Sequence, residues 1–290
     1  MVDTGMWSAL IDLLADFRGL SGSAQVSHSV VVLIVMLATG EVVWLAATQT
    51  TGRDRRLLMG EVVAAAVMGL GGLLLGLAFT LGFVAAYQKI GVFAPTSLVH
   101  LWSNRPVVAG VAAFVAWDAV GFVYHWVGHR TAVGWAAHRP HHTGTSFNLT
   151  LAWRQSWFPI HGLVLPVIAL GGWPLSMIVA SAAVSNLLQA SQHTALAVRA
   201  PRWLGALVMT PDQHRHHHLR VTSHPTRTPA VNLGPVFTLW DRLAGSYVSG
   251  TVARGSEYGA DGPGTSIIRS QADGWIRLVR GGPDPVSLHS

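Results

Sequence analysis

Apolar residues in this chain do not alternate with polar ones. They run in blocks about as long as a bilayer is thick, and the polar residues collect between the blocks. Residues 29–48 are almost wholly apolar, interrupted by Glu41. About 20 such residues wound as a helix cross the hydrocarbon core of a membrane, so this block predicts a span in which Glu41 faces protein or water rather than lipid. A second run covers 62–87, and a third, 106–124, leads directly into His125. A fourth, 158–192, is long and broken at Gly171-Gly172-Trp173-Pro174. It predicts a helical hairpin that enters the membrane and returns to the same side. Within the second run, Gly72 and Gly76 stand four apart, a spacing that predicts close helix packing in lipid.

The intervening stretches read differently. Residues 1–20 place Trp7, Leu10, Leu14 and Phe17 among Asp3, Asp12 and Asp16, the pattern of an amphipathic helix lying in the interface. Arg53-Asp54-Arg55-Arg56 reads as a basic loop, and 88–105 as a loop punctuated by Gly91 and Pro95. Beyond 248 the chain is rich in Gly and Pro and weakly patterned, which predicts little regular structure.

Composition agrees with a membrane protein. Charged residues are 11% of the chain, against about 25% in an average soluble domain. The formal charge is +6, and in such a protein cationic balance serves topology and anionic lipid contact rather than nucleic acid. All cations but Lys89 are arginine, which with abundant Ala, Gly and Val suggests a GC-rich bacterial genome and hence an inner membrane. Placing Arg53, Arg55 and Arg56 in the cytoplasm by the positive-inside rule sends the second run out and the third back. The hairpin then goes out and returns, so His125, His193 and the residues after it all fall on the cytoplasmic face.

Those residues carry the candidate chemistry. Twelve of the 15 histidines lie between 125 and 224. With no cysteine, thiolate-held zinc, iron–sulfur clusters and thiolate haem are excluded, so any metal is held by His and carboxylates. His125 and His129 stand at i and i+4. His138, His141 and His142, and again His214, His217 and His218, stand at i, i+3 and i+4. On a helix such spacings share a face. Eight imidazoles are too many for one tetrahedral zinc, and two metal ions with open positions are the natural count. Neutral imidazole suits Fe, Zn and Cu alike. His193 and His216 are accessory candidates, while His28, His100, His161 and His289 read as surface or structural residues. The predicted fold is therefore an all-α integral membrane helical bundle carrying a cytoplasmic, histidine-rich, di-metal helical cap.

The order HxxxH, HxxHH, apolar hairpin, HxxHH resembles the sterol desaturase/fatty acid hydroxylase superfamily of membrane non-haem di-iron oxygenases. Further matches are Asp118 and Tyr124 before the first box, Asn148 and Arg154 after the second, Gln192-His193 at the hairpin end, Thr210-Pro211 before the last box, and Asn232-Leu233-Gly234 with Trp240-Asp241-Arg242 after it. Pro140 lies inside the second box, where it can start a helix at its first turn, and Trp126 stands where family members often carry Arg. The resemblance implies a catalytic domain over 106–248, preceded by an interfacial helix and two transmembrane helices (1–105) and followed by a tail (249–290).

It also implies His125, His129, His138, His141, His142, His193, His214, His217 and His218 as ligands of two iron ions. Asp118, Asn148, Asp212 and Asp241 become candidates to orient ligand rings, with capping or structural roles as the alternative. The implied reaction uses O2 to hydroxylate or desaturate a lipid, whether fatty acyl, sterol or related. Electrons would come from an external donor such as a ferredoxin, a rubredoxin or a cytochrome b5-like protein. Arg199, Arg202, Arg215, Arg220 and Arg227 suit either an acidic donor or the lipid surface. Two other classes stay open: a non-catalytic membrane protein stabilised by zinc, and a transporter using Glu41, Glu61 and Asp118 along a path through the membrane.

Overall fold

The computed structural model describes residues 21–48, 52–157, 165–196, 200–220, 230–253, 255–260 and 266–280. Among them the architecture is all-α, with two isolated β-bridges, Val208 to Phe237 and Leu219 to Tyr258, and no strand. The interfacial helix expected over 1–20, and His161, His224, His289, Arg199 and Arg227, lie outside the described residues.

Four long helices build the bundle. These are α1 (Ser21–Thr48), α2 (Gly52–Gly91), α4 (Pro106–Arg130) and α7 (Leu175–Gln192). Two shorter ones connect them, α3 (Thr96–Asn104) and α6 (Leu165–Leu170). His28–Thr48 and Pro106–Arg130 are long and apolar enough to cross a membrane, and only 22% and 17% of their apolar windows are buried. A core helix of a soluble protein would bury most of that surface. Here Met36, Leu74 and Val107 point outward at 66%, 67% and 79% exposure, as lipid-facing side chains do.

α1 packs on α7, α4 on α7, and α2 on α6. The break in the fourth apolar run forms a turn at Gly171–Pro174, with Gly172 at φ 70°. At that turn Tyr87 Oη donates to Trp173 O (2.6 Å), Trp102 Nε1 donates to Gly171 O (2.8 Å), and the Trp102 and Trp173 rings stack at 5.4 Å. Amphipathic aromatics gather in this way at a membrane–water boundary. The histidines sit at the opposite end of the bundle, on the C-terminal ends of α4 and α7.

Three expectations are corrected. Arg55 and Arg56 are in the opening turns of α2, not in a loop, because no breaker separates Gly52 from Gly91. The supposed loop 88–105 is the end of α2, a short turn, and α3, which starts directly after Pro95. The close approach to α2 falls at Gly69 and Gly71, not Gly72. A side chain at Gly69 would meet Trp153 at 3.4 Å and one at Gly71 the Trp157 indole at 2.4 Å, whereas one at Gly72 would meet nothing. The partners are thus Trp153, by its Cβ and backbone, and the Trp157 indole, while the surroundings of Gly76 lie outside the described residues.

The cap is made of short helices: α5 (Ala132–His138), 3-10 turns at Arg139–Thr143 and Leu149–Trp153, α8 (Arg202–Leu207), α9 (Pro211–His217) and α10 (Leu239–Ala244). The expectation of little regular structure beyond 248 is also corrected, because α11 (Ile267–Val279) packs against α5.

Candidate metal centre

Each histidine segment is placed by a local device. α4 carries His125 and His129 on its last two turns, and Gly128 between them leaves room for His138, whose Cβ lies 3.2 Å from where a side chain would start. The Thr131 hydroxyl accepts from Gly134 N (2.9 Å) to start α5, which ends at His138. Pro140 then sits in the first turn of the 3-10 segment that carries His141 and His142. Thr210 and Gln213 form a capping box around Pro211 and so fix the start of α9, with His214 and His217 on it and His218 closing it.

These devices bring nine histidines into two adjacent groups. In the first are His125, His129, His138, His142 and His217; in the second, His141, His193, His214 and His218. Within each group the possible ligand nitrogens lie within 4.8 Å of one another. Each HxxHH box is therefore divided. Its i and i+4 members share one group, and its i+3 member turns to the other, which the shared-face reading did not anticipate. His216 stands outside both groups, and His28 and His100 are exposed residues far along the chain from the cap.

Backbone carbonyls set the tautomers of three rings. His125 Nδ1 donates to Leu233 O (2.7 Å), His217 Nδ1 to Val231 O (3.0 Å) and His193 Nδ1 to Gln189 O (2.9 Å). A carbonyl only accepts, so each Nδ1 bears the proton and each neutral Nε2 presents a lone pair. His125 Nε2 and His217 Nε2 then face each other at 3.0 Å with no proton between them. Similar approaches join His138 and His142 (3.0 Å), and His141, His193, His214 and His218 in series (3.2, 3.0 and 3.1 Å). His129 Nε2 is buried without a hydrogen-bond partner.

Burial, and after it the neighbouring imidazoles, hold His142, His214, His217 and His218 well below the usual histidine pKa. Protonation therefore does not relieve the facing lone pairs; a cation between them would. Spacing also bears on its geometry. With metal–nitrogen bonds of about 2.1 Å, neighbouring ligands stand about 3.4 Å apart in a tetrahedron and about 3.0 Å apart at right angles. The observed 3.0–3.2 Å contacts fall between the right-angle value and the midpoint of the two, within reach of either arrangement. The residues present thus fit a pair of metal ions, one at each group.

The four polar candidates hold the segments around them. Asp118 accepts from Val236 N (2.8 Å), Phe237 N (3.1 Å) and Trp240 Nε1 (2.8 Å). Asp241 accepts from Leu233 N (2.7 Å), Gly234 N (2.7 Å) and Ser246 Oγ (2.6 Å). Asn148 caps the 149–153 turn through Thr150 N (2.9 Å), and Asp212 pairs with Arg215 at 2.5 Å. These bonds are the capping and clamping roles weighed beside direct orientation of the rings.

Other residues hold the cap segments as well. Asn232, at φ 52°, donates to Gln213 O (2.8 Å) and Val248 O (2.9 Å) and accepts from Val248 N (2.8 Å). It thereby fixes the backbone between the two carbonyls that hold His217 and His125. Glu41 accepts from Leu149 N (2.6 Å), Ala195 N (2.7 Å) and Thr194 Oγ1 (2.5 Å). Glu61 accepts from Thr145 N (3.1 Å) and pairs with Arg154, which in turn donates to Thr143 Oγ1 (2.9 Å). Glu41, inside its apolar run, faces protein as predicted, and Glu61 stands directly before the second run. Of the arginines suited to an acidic donor, Arg215 is engaged with Asp212, Thr194 O and Leu196 O, and Arg220 with Glu257.

Comparison with known proteins agrees with this arrangement. A family model described as fatty acid hydroxylase matches residues 110–246. The chain is similar to alkylglycerol monooxygenase of Xenopus tropicalis, 27% identical over 171 residues, covering 52% of this chain and 35% of that protein. It is likewise similar to the alkylglycerol monooxygenases of Homo sapiens, 27% identical over 161 residues with the same coverages, and of Caenorhabditis elegans, 29% identical over 131 residues, covering 45% of this chain and 25% of that one. The chain thus spans about a third or less of the length of these relatives. No solved structure matches significantly.

Proposed function

From a chain that belongs, through residues 110–246, to the sterol desaturase/fatty acid hydroxylase superfamily, we infer a membrane di-iron monooxygenase that inserts one oxygen atom of O2 into a lipid. The observation that carries this reading is the facing pair of His125 and His217 lone pairs, with close Nε2 approaches among six further imidazoles of the two groups. His125, His129, His138, His142 and His217 would hold one iron, and His141, His193, His214 and His218 the other. A bound iron pair supplies O2 activation and the oxidation of an unactivated C–H bond, with two electrons and two protons from outside yielding an alcohol and water.

The chain's own residues do the rest. Val231 O and Leu233 O keep the protons of His217 and His125 on Nδ1, so that Nε2 stays a ligand. Complete burial of His142 and His217 keeps bulk water from the ligand atoms. The site lies where the apolar helices α4 and α7 end, so a lipid reaches it by moving along the bilayer without dissolving in water. The face is cytoplasmic by the arginines of α2, and the electrons come from an external protein donor. An alkylglycerol is the first substrate to test, because the relatives' names specify it.

The three acids considered for a transport path are all committed: Glu41 and Glu61 to the cap loops, and Asp118 to the 236–240 segment. The test is incubation of the full-length, iron-loaded protein with an alkylglycerol and with acyl lipids under 18O2 and a reductant. A lipid product carrying one 18O, absent in His141→Ala, is expected. No oxidised lipid despite two irons per chain overturns the reading.

A further inference from the structure

α11 has three faces. Ser270, Gln271 and Gly274 turn toward the cap, where a side chain at Gly274 would meet the Ala136 backbone at 2.7 Å. At 100° per residue, Ile268, Ala272, Ile276 and Val279 occupy a second arc about 80° wide. On it Ile268, Ile276 and Val279 are 74%, 42% and 85% exposed. Arg269, Arg280 and Arg277 follow on the arc beside it. Against Asp273, the helix's one acid, these three arginines leave a charge of +2 over 267–280. Asp273 itself turns inward, to Arg139 at 3.5 Å as well as to Arg269 at 3.4 Å.

The depth of this helix can be read from its partners. Gln271 accepts from Trp157 N (2.9 Å), and the Trp157 indole donates to Met68 O (3.2 Å). Met68 lies well inside the second apolar run, beside Val67 and Leu70, which are 42% and 58% exposed. α11 is thus stationed alongside the part of α2 that has already left the aqueous side. An apolar stripe bordered by arginines at that level matches a bilayer surface carrying anionic headgroups.

We propose that α11 is an interfacial anchor, with Ile268, Ile276 and Val279 in the acyl-chain boundary and Arg269, Arg277 and Arg280 against anionic lipid headgroups. Because Arg139, next to His138, donates to Ser270 O (3.4 Å) and pairs with Asp273, lipid contact at this helix also steadies the second histidine segment. The proposal stands apart from the chemistry of the site.

The test uses the absence of cysteine. Single variants Ile268→Cys, Ile276→Cys and Val279→Cys, with Glu257→Cys as an aqueous reference, are spin-labelled in full-length protein in nanodiscs of phosphatidylcholine and phosphatidylglycerol. Collisions with O2 and with a water-soluble nickel chelate report depth. The three α11 labels are expected to be several-fold more accessible to O2 and less accessible to nickel than the label at 257. In the Arg269→Gln/Arg277→Gln/Arg280→Gln background, or in nanodiscs of phosphatidylcholine alone, that contrast is expected to shrink. Nickel accessibility equal to that at 257 overturns the proposal, as does dipolar broadening between labels, which would make a second copy the partner.

Discussion

The two histidine groups are adjacent and similar in composition, yet they are held from opposite directions. In the five-histidine group, His125 and His217 are fixed through the 231–234 loop, whose two carbonyls take the ring protons while Asn232 and Asp241 fix its backbone. The four-histidine group depends on the N-terminal helices. Glu41 of α1 binds Thr194 and Ala195, next to His193, and Leu149, beyond His141. Phe147 stacks on His193 at 5.9 Å and meets His218 edge-on at 5.6 Å. One group is thus supported from the C-terminal side of the cap, within the residues that match the family, and the other partly from a helix outside them. Either support can be removed separately.

Removing ligands should have the largest effect. His217→Ala is expected to lose the metal of the five-histidine group and His218→Ala that of the other, each leaving about one metal per chain by elemental analysis and at least a hundredfold less product. If either variant lost both metals or neither, the division into two groups would be wrong.

Glu41→Ala comes next, because it leaves the buried Leu149 N–H and Thr194 hydroxyl and the half-buried Ala195 N–H unpaired. Bonds to a charged acceptor contribute about 1.5–3 kcal/mol each, so thermal unfolding should show a loss of several kcal/mol. Metal should leave the four-histidine group first. Glu41→Gln, which keeps one acceptor oxygen, should fall between wild type and Glu41→Ala. Equal loss from both groups would place Glu41 in general stability rather than in support of one side.

Asp241→Asn is the counterpart on the other side. It weakens the hold on Leu233 and Gly234 without touching a ring. Partners one step from the ligands typically contribute about 10–100-fold in metal affinity, so the five-histidine group should release metal more readily in a chelator titration while the other is unchanged.

The smallest contrast is with pH. Histidines held below their ordinary pKa take up protons more readily unfolded than folded, so their contribution is present in full above about 6.5 and declines as pH falls below it. Metal retention should follow the same sign, falling on acidification from pH 7 toward 5 and steady from pH 7 to 8. Retention that improved toward pH 5 would contradict neutral, buried imidazoles.

Much of this arrangement is legible in the sequence because long apolar runs and histidine spacing are local signals. Glu41 inside its run announces a buried partner, and Gly171–Pro174 announces the hairpin turn. What escapes is set by contacts between distant segments. Spacing alone does not indicate that His141 parts from His138 and His142, because the division depends on how the segments pack, as His138 does against Gly128. The Val231 and Leu233 carbonyls carry no side-chain signature at all; only Asn232, a residue that tolerates positive φ, hints at the turn between them. α11 escapes because its inward face is Ser270, Gln271 and Gly274, polar or small residues that bind backbone and fit closely rather than forming an apolar stripe toward the cap.

The central claim, two unlike metal sites built from nine histidines, is tested most directly by Mössbauer spectroscopy of the full-length protein loaded with 57Fe. Two irons per chain giving two distinct quadrupole doublets of equal area is the predicted result. A single iron site, or a protein that retains only zinc, would contradict it.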